Sequence, residues 1–170
     1  MILVAPGKIR HLVQRFRWSL SSAPPAAHDE RWLLDLLTDA EIELYRAMSA
    51  QDRRHAVDCG RRVEDLGPAA VVASALHDVG KTESGLGTMG RVAATLLGPL
   101  VRPTHPGFLG CAAVYKQHPE RGAKMLLAAG SNELAIAWAA EHHWPEAAWS
   151  SVIDLPTGRR LLAADDDVAR

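Results

Sequence analysis

The sequence predicts an all-α fold, and three observations carry that reading. No segment sustains the period-two alternation, bounded by turn residues, that marks a half-buried strand. Thr38-Asp39-Ala40-Glu41 has the spacing of a capping box, in which the threonine hydroxyl and the glutamate carboxylate each satisfy a backbone amide of the other. Pro119 stands where the first residue of a helix belongs, and the run it opens ends at Gly130, the residue type best suited to close one.

The elements run in order along the chain. Residues 8–20 place Ile9, Leu12, Val13 and Phe16 at helical spacing among Lys8, Arg10, Arg15 and Arg17, an amphipathic helix. Ser21 to Ala27 (SSAPPAA) reads as a linker, so the chain divides into an N-terminal helix and linker (1–27) and a main domain (28–170). A helix starts near Asp39, and another runs from about Ala50 to Leu66, stopped by Gly67-Pro68. The stretch Ala69 to Val79 is almost wholly apolar, as a helix buried on all sides must be. Residues 85–90 are loop, 91–97 helical, 99–106 a proline-rich loop and 108–116 helical. After the helix opened by Pro119, Ser131 caps one that runs through His142 and is ended by Trp144-Pro145. A last helix covers about Gly158 to Val168.

Composition narrows the function classes. With 170 residues, 48% of them hydrophobic and 23% charged, the chain is long enough for one domain with a real core. Nineteen basic and 20 acidic residues leave a net charge of -1, which argues against general electrostatic capture of nucleic acid or an anionic membrane. The two cysteines, Cys59 and Cys111, form no CxxC pair and suit a reducing compartment. No apolar run approaches the ~20 residues of a membrane span, and residues 1–5 are too short for a signal-peptide core. The expectation is a soluble, cytoplasmic protein.

The chemistry is carried by histidines and aspartates. His77-Asp78 ends the buried apolar stretch, where an ionised carboxylate costs several kcal/mol unless compensated. A divalent cation is one compensation, because carboxylate and neutral imidazole both ligate it. A buried hydrogen-bonded His-Asp pair is the other. His55 lies on the preceding helix, and Asp165-Asp166-Asp167 interrupts the last one.

The order His55, His77-Asp78, Asp165 resembles the defining pattern of the HD metal-dependent phosphohydrolase superfamily, and LHDVGK (76–81) is similar to its central motif. His118-Pro119-Glu120-Arg121-Gly122 with Leu126 resembles the HPExG segment of the HD-GYP subgroup, and Glu141-His142-His143 resembles its paired-histidine motif. The glycine-tyrosine-proline segment itself is missing, since Trp144-Pro145-Glu146 comes next, which puts cyclic-di-GMP hydrolysis in doubt.

The resemblance implies a compact helical bundle and roles residue by residue. His55, His77, Asp78 and Asp165 (with Asp166 the alternative) would hold one ion. Asp78 would bridge to a second held by His118 and one or both of His142 and His143. Successive helical residues point about 100° apart, so the helix must fray at His142-His143 or one of the two must lie outside the ligand set. The implied cofactors are two divalent ions (Mn, Fe, Zn, Ni, Co or Mg), which polarise phosphoryl oxygens and activate water. The implied substrate is a small phosphorylated molecule, a nucleotide or a relative of one. Asp78 and Lys81 would act in catalysis, with Lys81 and Arg121 neutralising substrate phosphate and Arg54 and Arg91 as weaker candidates. No stable nucleic-acid complex and no membrane partner are implied; a homo-oligomer is compatible.

Other signals point elsewhere or nowhere. Gly85-Leu86-Gly87-Thr88-Met89-Gly90 matches GxGxxG, but a dinucleotide fingerprint needs a preceding strand. A flexible loop near the metal site is the better reading. Cys59, one turn after His55, reads as a small buried residue. A catalytically idle HD domain that senses nucleotide or metal, and an interaction protein that docks through its basic helix or tryptophans, are the competing readings.

Overall fold

The computed structural model describes residues 23–87, 90, 91, 93, 94 and 107–167. The expected amphipathic helix over 8–20, residues 21 and 22 of the linker, and most of the 91–106 region lie outside them, and Ala27, expected to end the linker, opens the first helix. The described residues are helical with no strand. Among the described residues eight α-helices have defined bounds, in chain order: α1 Ala27–Leu34, α2 Asp39–Ala47, α3 Ala50–Arg62, α4 Pro68–Leu76, α5 Gly107–Lys116, α6 His118–Ala128, α7 Glu133–Glu141 and α8 Leu155–Asp167. Three short 3-10 turns (Glu64–Leu66, Val79–Ser84 and Glu146–Ala148) join them.

The bundle is organised around α4, which packs against α3, α7 and α8. Every residue from Ala70 to Leu76 is buried. Burial of each valine or leucine there contributes roughly 1.5–3 kcal/mol. Tyr45, Leu126, Trp138 and Leu161 bring α2, α6, α7 and α8 into the same core. The Val79–Ser84 turn packs on α5 and α6, which sets the chain beyond the end of α4 directly against α6.

Local sequence explains most boundaries. Thr38 and Glu41 form the capping box of α2. Glu41 is nevertheless only 3% exposed, because its other carboxylate oxygen accepts from the Ser131 hydroxyl. Gly130, at φ 69°, closes α6 with its own N–H on Leu127 O and that of Ser131 on Leu126 O, the two bonds of a Schellman motif.

Several boundaries differ from the sequence expectation: Ala27–Leu34 is a helix where none was expected, and the helices expected to reach Val79 and His142 end at Leu76 and Glu141. The helix from Ala50 ends at Arg62 and gives way to the Glu64–Leu66 turn. Pro68 both stops that segment and opens α4, directly after Gly67 at φ 92°. Helix α7 is capped by Asn132, whose side chain accepts from Ala135 N, while the Ser131 hydroxyl donates to Glu41. Helix α8 begins at Leu155 rather than near Gly158, with Asp154 accepting from Thr157 N at 3.0 Å.

Candidate metal centre

Five elements deliver the polar core. His55 comes from the second turn of α3, His77 and Asp78 from the C-terminal end of α4, His118 from the first residue of α6, His142 and His143 from the turn after α7, and Asp165 from the last turn of α8. His77, Asp78, His118 and His142 are all buried to 5% exposure or less.

Hydrogen bonds fix the tautomers. Nδ1 of His77 lies 2.8 Å from Ser74 O, Nδ1 of His118 lies 2.8 Å from Tyr115 O, and Nδ1 of His142 lies 3.0 Å from Ala139 O. A carbonyl only accepts, so each Nδ1 donates and each neutral ring presents a bare lone pair at Nε2. These three Nε2 atoms converge on Asp78. Oδ2 of Asp78 is 3.5 Å from His77 and 4.0 Å from His55, while Oδ1 is 3.3 Å from His118 and 4.0 Å from His142. Lone pairs thus face carboxylate oxygens, acceptor against acceptor, and Nε2 of both His118 and His142 is buried without a hydrogen-bond partner. A cation shared between them satisfies that arrangement; no proton on the neutral rings does.

Asp165 closes the other side. Its Oδ1 lies 3.1 Å from His55 Nε2 and 3.8 Å from His77 Nε2, whereas Asp166 is exposed. Ligand-type atoms fall within 4.8 Å of one another in the sets His55/His77/Asp78, His118/His142/His143 and His55/Cys59/Asp165. Both adjacent histidines reach the centre because α7 stops at Glu141: His142 and His143 sit in a turn, with ring centroids 4.0 Å apart. The helix thus stops before the pair, with His142 buried and His143 exposed.

Cys59 is fully buried, as the sequence implies, but its Sγ lies almost equidistant from the two nitrogens of His55, at 3.7 and 3.5 Å. The sulfur therefore packs beside the ring and not along the Nε2 lone pair. It buttresses the ring.

Electrostatics keep the acids ionised. Burial alone would raise the Asp78 pKa, but the Lys81 ammonium beside it outweighs burial and holds the carboxyl well below the usual range. Asp165 is likewise depressed, against burial, by its contact with His55. Burial disfavours the His55 imidazolium, yet Cys59 and Asp165 raise its pKa well above 6.5. Since burial also raises the Cys59 thiol, Asp165 is the neighbour that carries a charge near neutral pH. His142 goes the other way: burial lowers it to about 3.

The cations expected to meet phosphate are differently placed. Lys81 is paired with Asp78, so it belongs to the centre. Arg121 pairs with Glu83 and is 3.1 Å from Gln117 Oε1, beside an open groove of about 380 Å³ on the outer face of α6. Arg54 donates to Ala23 O at 2.9 Å. Arg91 lies against Asp52, a partnership that nothing in the sequence spacing signals.

Protein-family models, curated proteins and solved structures were all compared with this chain, and none matches. What is established is an all-helical protein with buried His/Asp groups able to hold a metal ion. No helix among the described residues is long and apolar enough to cross a membrane.

Proposed function

We propose that the chain is a metal-dependent phosphohydrolase, acting on a phosphomonoester or phosphodiester of nucleotide type through two divalent ions that share Asp78. One observation carries the reading: histidines locked as Nδ1-H tautomers, two of them with partnerless buried Nε2 atoms, surround a carboxylate whose two oxygens face two different histidine sets. His55, His77, Asp78 and Asp165 would hold one ion, and His118, His142, His143 and Asp78 the other.

Divalent ions supply Lewis acidity toward phosphoryl oxygens and lower the pKa of water. The protein's own residues do the rest. The Nδ1 bonds to Ser74, Tyr115 and Ala139 fix the ring orientations, so the ligand set needs little reorganisation. Lys81 carries its ammonium at the edge of the centre, with 19% of its side chain exposed, where it can turn from Asp78 to a phosphate oxygen. Arg121 would have to leave Glu83 and Gln117 to do the same.

The test is elemental analysis of untagged protein against a His77→Ala/Asp78→Ala variant, followed by a screen of phosphate esters with Mn, Fe, Zn, Ni, Co or Mg. About two equivalents, lost in the variant, with metal-dependent phosphate release support the proposal. Metal without turnover on any ester points to the idle, sensing form of the domain. No metal after reconstitution with each ion refutes the centre.

A further inference from the structure

The ion pair between Asp52 and Arg91 lies outside the histidine cluster, yet a continuous set of contacts links it to Lys81. Nη1 of Arg91 sits 2.6 Å from both carboxylate oxygens of Asp52, and its Nε donates to Leu86 O at 2.9 Å. Leu86 N in turn reaches the Ser84 hydroxyl at 3.3 Å, and that hydroxyl donates to Lys81 O at 2.7 Å. Asp52 is itself anchored. It is 7% exposed, accepts from the Ser49 hydroxyl at 2.7 Å, and its own N–H lies 3.1 Å from Ser49 Oγ at the start of α3.

Asp52 stands one turn before His55 on α3, and Lys81 stands in the turn just after Asp78. The contacts therefore tie together two elements that supply the metal centre from separate parts of the chain. Gly85, at φ 63°, makes the bend that carries Leu86 back toward Arg91. Packing on α5 and α6 and the Glu83–Arg121 pair hold the turn on its other side, and the Asp52–Arg91 tie adds the link to α3.

We propose that Arg91 and Asp52 form a latch that positions Lys81: the pair tethers the chain just beyond the Val79–Ser84 turn to the start of α3, and through Leu86 and Ser84 it fixes the Lys81 ammonium beside Asp78. Arg91 is then a positioning residue rather than a phosphate contact. Only the value of a fixed Lys81 to phosphate chemistry rests on the proposed function; the latch itself stands on the contacts.

The experiment is competitive acetylation of the folded, full-length chain, read peptide by peptide by mass spectrometry, with Lys124 on α6 as internal reference. In the wild type Lys81 is modified much more slowly than Lys124. Arg91→Gln and Asp52→Asn each speed modification of Lys81 by about tenfold, the change in open population that a loss of about 1.4 kcal/mol produces. The double variant goes no further than either single one, because both remove the same pair. Ser84→Ala, which keeps the ion pair but removes the relay, also raises Lys81 selectively, and Arg91→Lys restores part of the protection.

Unchanged Lys81 reactivity in Arg91→Gln overturns the proposal. So does a rise at Lys124 equal to that at Lys81, which would mean general loosening. Metal analysis of the same samples separates the two readings: absence of metal with the acetylation pattern intact refutes the metal centre and leaves the latch.

Discussion

Gly80 offers the sharpest test of how the centre is held together. It lies in the Val79–Ser84 turn, which packs on α6 so closely that a Cβ at Gly80 would stand 2.1 Å from His118 O and 2.6 Å from Gly122 N. Both are backbone atoms, so no side chain can swing aside. In Gly80→Ala the turn must lift from α6 by about 1 Å, and over-packing of this kind costs roughly 3 kcal/mol, at the upper end of the usual range. For a chain of this size that is a fall in Tm of about 6–12 °C. The same movement separates Asp78 from His118, now 3.3 Å apart, so the variant should bind metal more weakly as well as melt earlier. Gly122→Ala is the control, because its nearest contacts are 3.2 Å to Gly80 N and 3.5 Å to Val79, which small shifts relieve. Scanning calorimetry with and without metal reads both effects. A Gly80→Ala protein melting within about 2 °C of wild type, with unchanged metal binding, would refute the close-packed seam.

Two further predictions concern groups away from that seam. Glu41→Ala leaves Thr38 N and the Ser131 hydroxyl without their carboxylate, so urea unfolding should show a loss of about 2 kcal/mol; Glu41→Gln, which keeps an acceptor, should lose less. For His142, the folded pKa of about 3 lies below the ordinary 6.5, so the unfolded chain binds a proton that the folded one refuses. Metal-free protein should therefore lose stability as pH falls from 6.5 toward 3, by at most about 1.4 kcal/mol per unit from this group. His142→Gln should flatten that slope, and equal slopes in the two proteins would count against a buried neutral imidazole.

How much of the fold is legible in the sequence depends on how local the cause is. The α2 capping box, Gly130 and Pro119 are readable because each acts within four or five residues of itself. The choice between Ser131 and Asn132 as cap of α7 is not, since both are good capping types and stand side by side. The start of α8 has a local signal that the apolar spacing from Gly158 onward overrides: Asp154-Leu155-Pro156 carries an aspartate cap and an early proline. Among the site residues, the histidines and aspartates stand out by type and order. Arg91 resembles a phosphate contact in the sequence because its partner Asp52 lies 39 positions earlier, with no spacing to announce the pair. The close approach of Gly80 to α6 is equally silent, since a glycine in a turn has many reasons to be there.

The arrangement of helix ends adds an argument that no single residue makes. The C-terminal ends of α4 and α7 both point at the centre, and Asp165 lies in the last turn of α8. A helix C-terminus carries a partial negative charge of roughly half an electron from its unpaired carbonyls. Ser74 and Ala139, the carbonyls that orient His77 and His142, belong to those last turns. Among the described helices α6 presents an N-terminus there, and it does so at His118, opposite Oδ1 of Asp78. Lys81 and His55, whose pKa is raised well above 6.5, match the two ionised carboxylates in charge, so the helix ends decide the balance: three C-terminal turns against one N-terminus leave the interior field negative. The protein could have neutralised that field with an arginine, yet it lined the space with histidines whose nitrogens face inward as lone pairs. Donors of that kind are of use to a cation and to little else, which is why the backbone, and not just the motif, favours a metal at this point.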